Sequence, residues 1–101
     1  MIVTRWQAAV VPTADQVKMI FQAEGLAAEE EGLQPKAVIT DHRHPFDEVR
    51  MVVDGILFMN ISGNQILLRA GDRIEIPANT RHSKSTDGNT ECICIVAHKP
   101  F

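Results

Sequence analysis

Residues 42–48 read His-Arg-His-Pro-Phe-Asp-Glu, which places three side chains that bind metals well directly before an apolar run. In a β-strand the side chains at i and i+2 leave the same face, so His42 and His44 point the same way, about 6.6 Å apart along the strand. Glu48 keeps the same parity, and Pro45 interrupts the strand, so the chain can bend and return the carboxylate toward the imidazoles. The stretch therefore predicts three ligands of one metal site.

A fourth ligand has to come from elsewhere, and His82 is the candidate, at the end of a turn-like stretch over residues 77–82. Imidazole and carboxylate ligands together suit Fe, Mn, Co, Ni, Cu or Zn, whereas calcium prefers a site built from oxygen. We therefore expect one divalent transition metal per chain, of an identity that the sequence does not give. Four protein ligands leave two positions of an octahedral metal for water, substrate or dioxygen.

The spacing of these residues resembles the two motifs of the cupin superfamily. The pattern His-x-His-x-x-x-Glu-x-x-x-x-x-x-Gly, from His42 to Gly55, is similar to the first motif. The pattern Gly-x-x-x-x-x-Pro-x-Asn-x-x-His, from Gly71 to His82, is similar to the second. The short interval between them, residues 56–70, is typical of small microbial cupins.

Three positions depart from the motifs. Lys36 stands where the first motif usually begins with Gly, Asn79 where the second has Gly, and Thr86 where the second often ends in Asn. Asn tolerates the left-handed backbone conformation that Gly would supply in a turn. None of the departures falls on an expected ligand, so they concern turn geometry and not the metal.

The remaining sequence predicts a mainly β fold. Short alternating segments separated by turn residues follow one another from residue 36 onward, as in an antiparallel sandwich or barrel. The cupin resemblance implies a double-stranded β-helix, or jelly-roll barrel, with one short N-terminal helix. We assign residues 1–35 to an arm, a helix and a connection that pack on the barrel, and residues 36–101 to the barrel itself, together one domain.

The helix begins at a capping box. Thr13 accepts a hydrogen bond from the amide of Gln16 and the Gln16 side chain reaches back, while Gly25 is placed to cap the C-terminus. We expect this helix to cover one opening of the barrel. Residues 26–35 contain three consecutive glutamates and are expected to form a solvated connection. The helix's apolar stripe is Val17, Ile20 and Phe21.

The parity of the strand after the histidine stretch places Arg50 inside the barrel with Glu48. A guanidinium there would orient a carboxylate or another planar anion, or it would form a structural ion pair with Glu75 or Asp47. Both interpretations are kept open. Lys84 shares a face with His82 and is a weaker pocket candidate, expected as a solvated charge at the rim.

The remaining apolar residues have simpler expectations. Residues 56–61 are apolar on both faces, which favours contact with another sheet or another subunit, and we expect a homodimer. Cys92 and Cys94 are two residues apart in one strand, where a mutual disulfide would be strained, and are expected to be buried hydrophobes. His98 is expected to be exposed. Phe46, Phe58 and Met59 are expected in the core or at a subunit contact.

Composition excludes several classes of partner. The formal net charge is -3, which gives no basic field for nucleic acid. No apolar run reaches the roughly 20 residues that a membrane span needs, and the first residues lack the pattern of a signal peptide. The expectation is a cytoplasmic protein whose partner is a small molecule.

The ligand set, with the resemblance, implies a metal-dependent enzyme. It is similar to that of cupin dioxygenases and of several metal-dependent cupin isomerases and lyases, which favours an oxygenase acting on a small oxygenated or carboxylate-bearing molecule. In this scheme Glu48 also acts as a base and Arg50 orients the anion. The alternatives are a cupin that binds or senses a small ligand without turnover, and an isomerase or lyase.

Overall fold

The structure is a computed structural model that describes residues 1–99. Two antiparallel sheets form the body of the molecule. The first sheet has five strands in the order β1-β7-β4-β9-β2, and the second has four in the order β3-β8-β5-β6. The elements are β1 (Ile2–Thr4), α1 (Ala14–Ala23), β2 (Glu29–Leu33), β3 (Val38–His42), β4 (Glu48–Asp54), β5 (Ile56–Ile61), β6 (Asn64–Arg69), β7 (Arg73–Ile76), β8 (His82–Thr86) and β9 (Cys92–His98). This is the jelly-roll arrangement predicted from the sequence.

The core lies between the two sheets because alternate side chains of each strand point inward. Val52 and Ile74 of the five-stranded sheet meet Leu57 and Leu68 of the four-stranded sheet, and all four are completely buried. On β4 the even positions Glu48, Arg50 and Val52 face this interior and the odd ones face away, as the predicted parity requires.

Helix α1 covers the outer face of the five-stranded sheet. Its capping box between Thr13 and Gln16 is present. Val17 and Phe21 are completely buried against the outward side chains of β4 and β9. The expectation that the helix closes an opening of the barrel is therefore wrong, because its apolar stripe matches a sheet face. Within residues 1–99 no helix is long and apolar enough to cross a membrane.

Strand β2 occupies part of the segment that was expected to be a solvated connection. Each residue of Glu29–Leu33 pairs with a residue of β9, from Glu29 opposite Val96 to Leu33 opposite Cys92. Glu31 and Leu33 turn toward the interior, whereas Glu30 faces out and approaches Lys18 of the helix. The sequence did not reveal that these side chains alternate between interior and surface, because the strand begins with three residues of the same charged type.

Three non-glycine residues in turns of the described part of the chain adopt the left-handed conformation, Lys36, Ser62 and Asn79, and two of them stand at motif positions. Lys36 and Asn79 both have φ of 61°, in the region where Gly carries no steric penalty. These are the two positions at which the sequence departs from a motif glycine. The turns thus keep the conformation that the motifs predict although the residues differ.

The four-stranded sheet has an exposed outer face. Phe58 is 41% exposed and Val38 is 70% exposed, and both stand beside Ser85 in the register of β3, β8 and β5. Met59, on the opposite side of β5, is buried in the core. The expectation for Met59 is confirmed, whereas Phe58 lies on the surface of the chain.

Candidate functional site

Three histidines meet at one end of the barrel. His42 ends β3 and His82 begins β8, and the two are direct partners in the strand pairing. Their ring centroids are 4.3 Å apart, and the ring of His44 lies 4.7 Å from His42 and 5.2 Å from His82. One ring nitrogen from each lies within 4.8 Å of the others. The sequence predicted that these residues would come together, and they do.

The hydrogen bonds of the cluster suit a metal site. Nδ1 of His42 is 2.8 Å from the carbonyl oxygen of Thr40, and Nδ1 of His82 is 2.8 Å from that of Thr80. A ring that donates through Nδ1 carries its lone pair on Nε2, so both rings are fixed in the tautomer that binds a metal through Nε2. Metals hold imidazole nitrogen at about 2.1 Å, and small side-chain movements would bring the three nitrogens to one ion.

Glu48 lies beside the cluster and is buried. Its Oε1 is 3.8 Å from Nε2 of His44, and its Oε2 is 3.4 Å from Nε of Arg50. The group of side chains close enough to share an ion contains the three histidines and not Glu48. Burial lowers the pKa of His44; Glu48 opposes this shift and the neighbouring imidazoles add to it. The lowered pKa favours the neutral form of the His44 ring, which is the form that binds metals.

Arg50 is 1% exposed and forms an ion pair within the barrel. Its Nη1 donates to Glu31 Oε1 at 2.8 Å and its Nη2 approaches Oε2 at 3.4 Å. The ion-pair interpretation thus has the partners Glu31 and Glu48. The partners named from the sequence are engaged elsewhere, since Glu75 pairs with Lys99 and Asp47 accepts a hydrogen bond from the amide of Ala78. An anion that bound Arg50 would have to displace Glu31.

Glu31 joins two cations, and sequence reasoning missed it. Besides Arg50 it binds Nζ of Lys84 at 2.9 Å. Burial raises the pKa of Glu31, but the hydrogen bond from Arg50 and the charges of Arg50 and Lys84 outweigh it and lower the pKa to about 2. The Lys84 side chain is only 9% exposed, so it lies inside the barrel and not at the rim. The sequence around Glu31 carries no signal for this contact, because three consecutive glutamates hide which of them faces the interior.

A stack of aromatic rings lies next to His44 of the cluster. Phe46 stacks on His44 with centroids 4.8 Å apart and on His98 with centroids 3.6 Å apart. His98 is exposed, as expected, and it also lines the cavity next to the cluster. Phe46 is half-buried and belongs to the site, whereas the sequence suggested the core or a subunit contact.

The cavity has a volume of about 520 Å³, within the range of small-molecule sites. Its wall combines the site residues with β2 and β9. It is lined by Ala27, Glu29, Glu30, Glu31, His42, His44, Glu48, Lys84, Val96, Ala97 and His98.

The two cysteines lie deeper in the barrel. Cys92 and Cys94 are completely buried and free, with their Sγ atoms 3.9 Å apart. The expectation of buried small hydrophobes without a disulfide is confirmed.

Comparison with known proteins identifies the family. The model of the cupin domain matches residues 30–98, so the chain belongs to the cupin family. No curated protein matched the sequence.

Several solved structures share the fold. An RmlC-like cupin from Shewanella frigidimarina is 28% identical, with a TM-score of 0.67, over 75% of this chain and 67% of that one. An oxalate oxidase in complex with the substrate analogue glycolate is 26% identical, with a TM-score of 0.65, over 74% of this chain and 42% of that one. The DMSP lyase DddQ from Ruegeria pomeroyi is 21% identical, with a TM-score of 0.68, over 74% and 38%. The chain thus spans less than half the length of the oxidase and of the lyase.

Proposed function

We propose that this cupin is a metal-dependent enzyme, of the oxygenase type, that acts on a small oxygenated or carboxylate-bearing molecule. The observation that carries the proposal is the cluster of His42, His44 and His82, with two rings fixed by backbone carbonyls and a cavity beside them. The similarity to an oxalate oxidase solved with glycolate, a small hydroxy acid, supports this substrate class.

In this proposal the three histidines and Glu48 hold one divalent transition metal per chain. When bound, such an ion can polarise a substrate oxygen or activate dioxygen or water. Glu48 stands between His44 and Arg50, so a side-chain rotation would let it bind the ion or take a proton from the substrate. Arg50 supports catalysis by holding that carboxylate in place, and a substrate anion would reach it only by displacing Glu31.

The second candidate is a cupin that binds a small ligand without turnover. The observation in its favour is that Arg50, Glu31 and Lys84 are already paired with one another, which leaves few free acids or bases beside the cluster. A metal-dependent isomerase or lyase is a further alternative, because the same ligands serve those reactions in other cupins.

Oxygen consumption by the Fe(II) form with glycolate or oxalate would support the oxygenase. An unchanged oxygen concentration with both compounds, together with measurable binding of either one, would favour a binding protein without turnover.

Metal content tests the site itself. Mass spectrometry of protein purified without a histidine tag should find about one transition metal per chain in the wild type. His44→Ala and His82→Ala should each lose most of it, because two imidazoles hold an ion far less tightly than three. The matched control is His98→Ala, which removes a cavity histidine outside the cluster and should leave the content unchanged. Wild-type content in His82→Ala would refute the ligand set.

We also propose that the protein is a cytoplasmic homodimer. A domain of 101 residues buries a modest share of its surface on folding, so a partner that covers apolar area adds stability. The outer face of the four-stranded sheet, with Val38 and Phe58, offers such an area.

A further inference from the structure

Lys84 is a largely shielded cation in the wall of the cavity beside the histidine cluster. Its side chain is 9% exposed, and it lines the same cavity as His42 and His44. An ammonium group has three N–H donors. Within residues 1–99 its side-chain hydrogen bond goes to Glu31 Oε1, at 2.9 Å. Two donors are therefore left for a ligand in the cavity.

The charges next to the histidine cluster would favour an anion once an ion is bound there. Arg50 and Lys84 are positive, and Glu31 and Glu48 are negative, so these four groups balance. A divalent ion at the histidines would leave two positive charges in excess, in surroundings where charges are weakly screened. A ligand with two negative charges would restore the balance.

The carboxylates at the mouth of the cavity do not reverse this preference. Glu29 and Glu30 line the cavity, but both are exposed, and Glu30 approaches Lys18 at 3.7 Å. Water and salt screen exposed charges far more strongly than buried ones. The field inside the cavity is therefore set mainly by the buried groups.

The place of Lys84 on β8 and the size of the cavity limit the size of the ligand. Lys84 follows His82 by two residues on the same face of β8, so their backbones are about 6.6 Å apart. His42, His44 and Lys84 border one cavity of about 520 Å³. A molecule that contacts the histidine cluster with one end and Lys84 with the other needs only a few bonds between its two polar groups.

We propose that Lys84 binds one carboxylate of a small dicarboxylate whose other carboxylate lies at the histidine cluster. This inference rests on the proposed function and names Lys84 as the residue that selects the doubly charged ligand. Glu31 holds the Lys84 side chain in the cavity through the 2.9 Å contact and so acts as its positioning residue.

Calorimetric titration with malonate, and with malonamide as its neutral analogue, tests the proposal on zinc-reconstituted protein. Lys84→Met keeps the length of the side chain and removes the charge, and should weaken malonate binding about 10- to 100-fold, the range for a charge-assisted hydrogen bond. Binding of malonamide should not change. Lys84→Arg should retain most of the malonate affinity. The matched control is Lys36→Met, in the turn before β3, which should behave as wild type.

The outcomes separate this inference from the metal proposal, because zinc content is measured on the same samples. If wild type and Lys84→Met both hold zinc and bind malonate equally well, the role of Lys84 is overturned and the metal site stands. A wild type that binds malonate no better than malonamide also overturns that role. If the wild type holds no metal, the metal proposal falls, and the same comparison on metal-free protein decides the role of Lys84.

Discussion

Glu31 is the residue that pairs with two cations of the interior, Arg50 and Lys84. It shares the balancing of their charges with Glu48, which approaches Arg50, and the two cations lower the pKa of Glu31. A neighbour of the same type, Glu30, has a single contact at 3.7 Å on the surface. The two glutamates therefore differ in their contribution to stability although they are adjacent in sequence.

Glu31→Gln should lower the free energy of unfolding by about 1–2 kcal/mol at neutral pH. A pKa lowered from 4.5 to about 2 corresponds to about 3 kcal/mol for a shielded group, and the 33% exposure of the side chain reduces this value. Urea denaturation measures the difference. Glu30→Gln is the control and should change the free energy by less than about 0.5 kcal/mol.

The same comparison has a defined pH dependence. The folded pKa of Glu31 is depressed, so its contribution is complete above about pH 4.5 and is lost as the pH falls toward about 2. The difference in unfolding free energy between wild type and Glu31→Gln should therefore shrink over this range. A difference that stays constant down to the lowest pH at which the protein folds would contradict this account of the ion pair.

At the scale of the residue, the sequence predicted the cluster but not its surroundings. His42 and His44 lie close together in the chain and His82 lies in a recognisable motif. Their spacing in the sequence was therefore enough to predict that they would meet. Glu31 and Lys84 are far apart in sequence and meet only because β2 and β8 border one interior. No local pattern carries such a contact, so it could not be predicted. The predicted metal ligands and the role of Glu48 stay predictions.

At the scale of the element, turns with left-handed residues connect the strands of the barrel. Lys36 and Asn79 share φ of 61°. A side chain with a Cβ has a steric cost of about 1–2 kcal/mol in this region, and the cost is smaller for Asn because its short polar side chain can hydrogen-bond locally. The turn at Lys36 is therefore the more strained of the two.

Lys36→Gly should raise the free energy of unfolding by about 0.5–1 kcal/mol, since relief of the steric cost exceeds the added freedom of the unfolded chain. Asn79→Gly should give a smaller gain. Ala37→Gly is the control: Ala37 is not among the positive-φ residues, so its replacement should lower stability. Thermal denaturation distinguishes these directions, and a loss of stability in Lys36→Gly would show that the turn is not strained.

Strand positions were largely predictable, and the exceptions have physical causes. β5 has the predicted bounds, Ile56–Ile61, because the stretch that is apolar on both faces lies between turn residues. β2 was missed because its charged residues are not typical of a strand, and its strand conformation depends on hydrogen bonds to β9. The position of α1 was missed because an amphipathic helix fits any apolar surface, and only the fold decides which one.

At the scale of the whole molecule, the two sheets differ in how their outer faces are covered. Helix α1 buries the outer face of the five-stranded sheet, whereas the four-stranded sheet exposes Val38 and Phe58 and has a groove of about 720 Å³ beside them. Apolar side chains exposed on a sheet face are a feature of many protein contacts. The proposed dimer would cover this face.

Light scattering should therefore give a mass of two chains at micromolar concentration. Phe58→Ser should shift it toward one chain, because the substitution removes the largest apolar side chain of the outer face. Val10→Ser is the control, since Val10 is 81% exposed but lies on the N-terminal arm. A wild-type mass of one chain would refute the dimer, and an unchanged dimer in Phe58→Ser would place the contact elsewhere.

The place of β9 between β4 and β2 has a consequence for the newly made protein. Both of those strands hydrogen-bond to residues 92–98, which the ribosome adds after all three histidines of the cluster. All three histidines are therefore synthesised before the sheet that supports Glu48 can close. An ion captured earlier would meet a flexible chain that cannot discriminate by geometry. Metal selection by this barrel is thus expected to follow the pairing of β9 with β2 and β4, when the closed sheet fixes the geometry of the site.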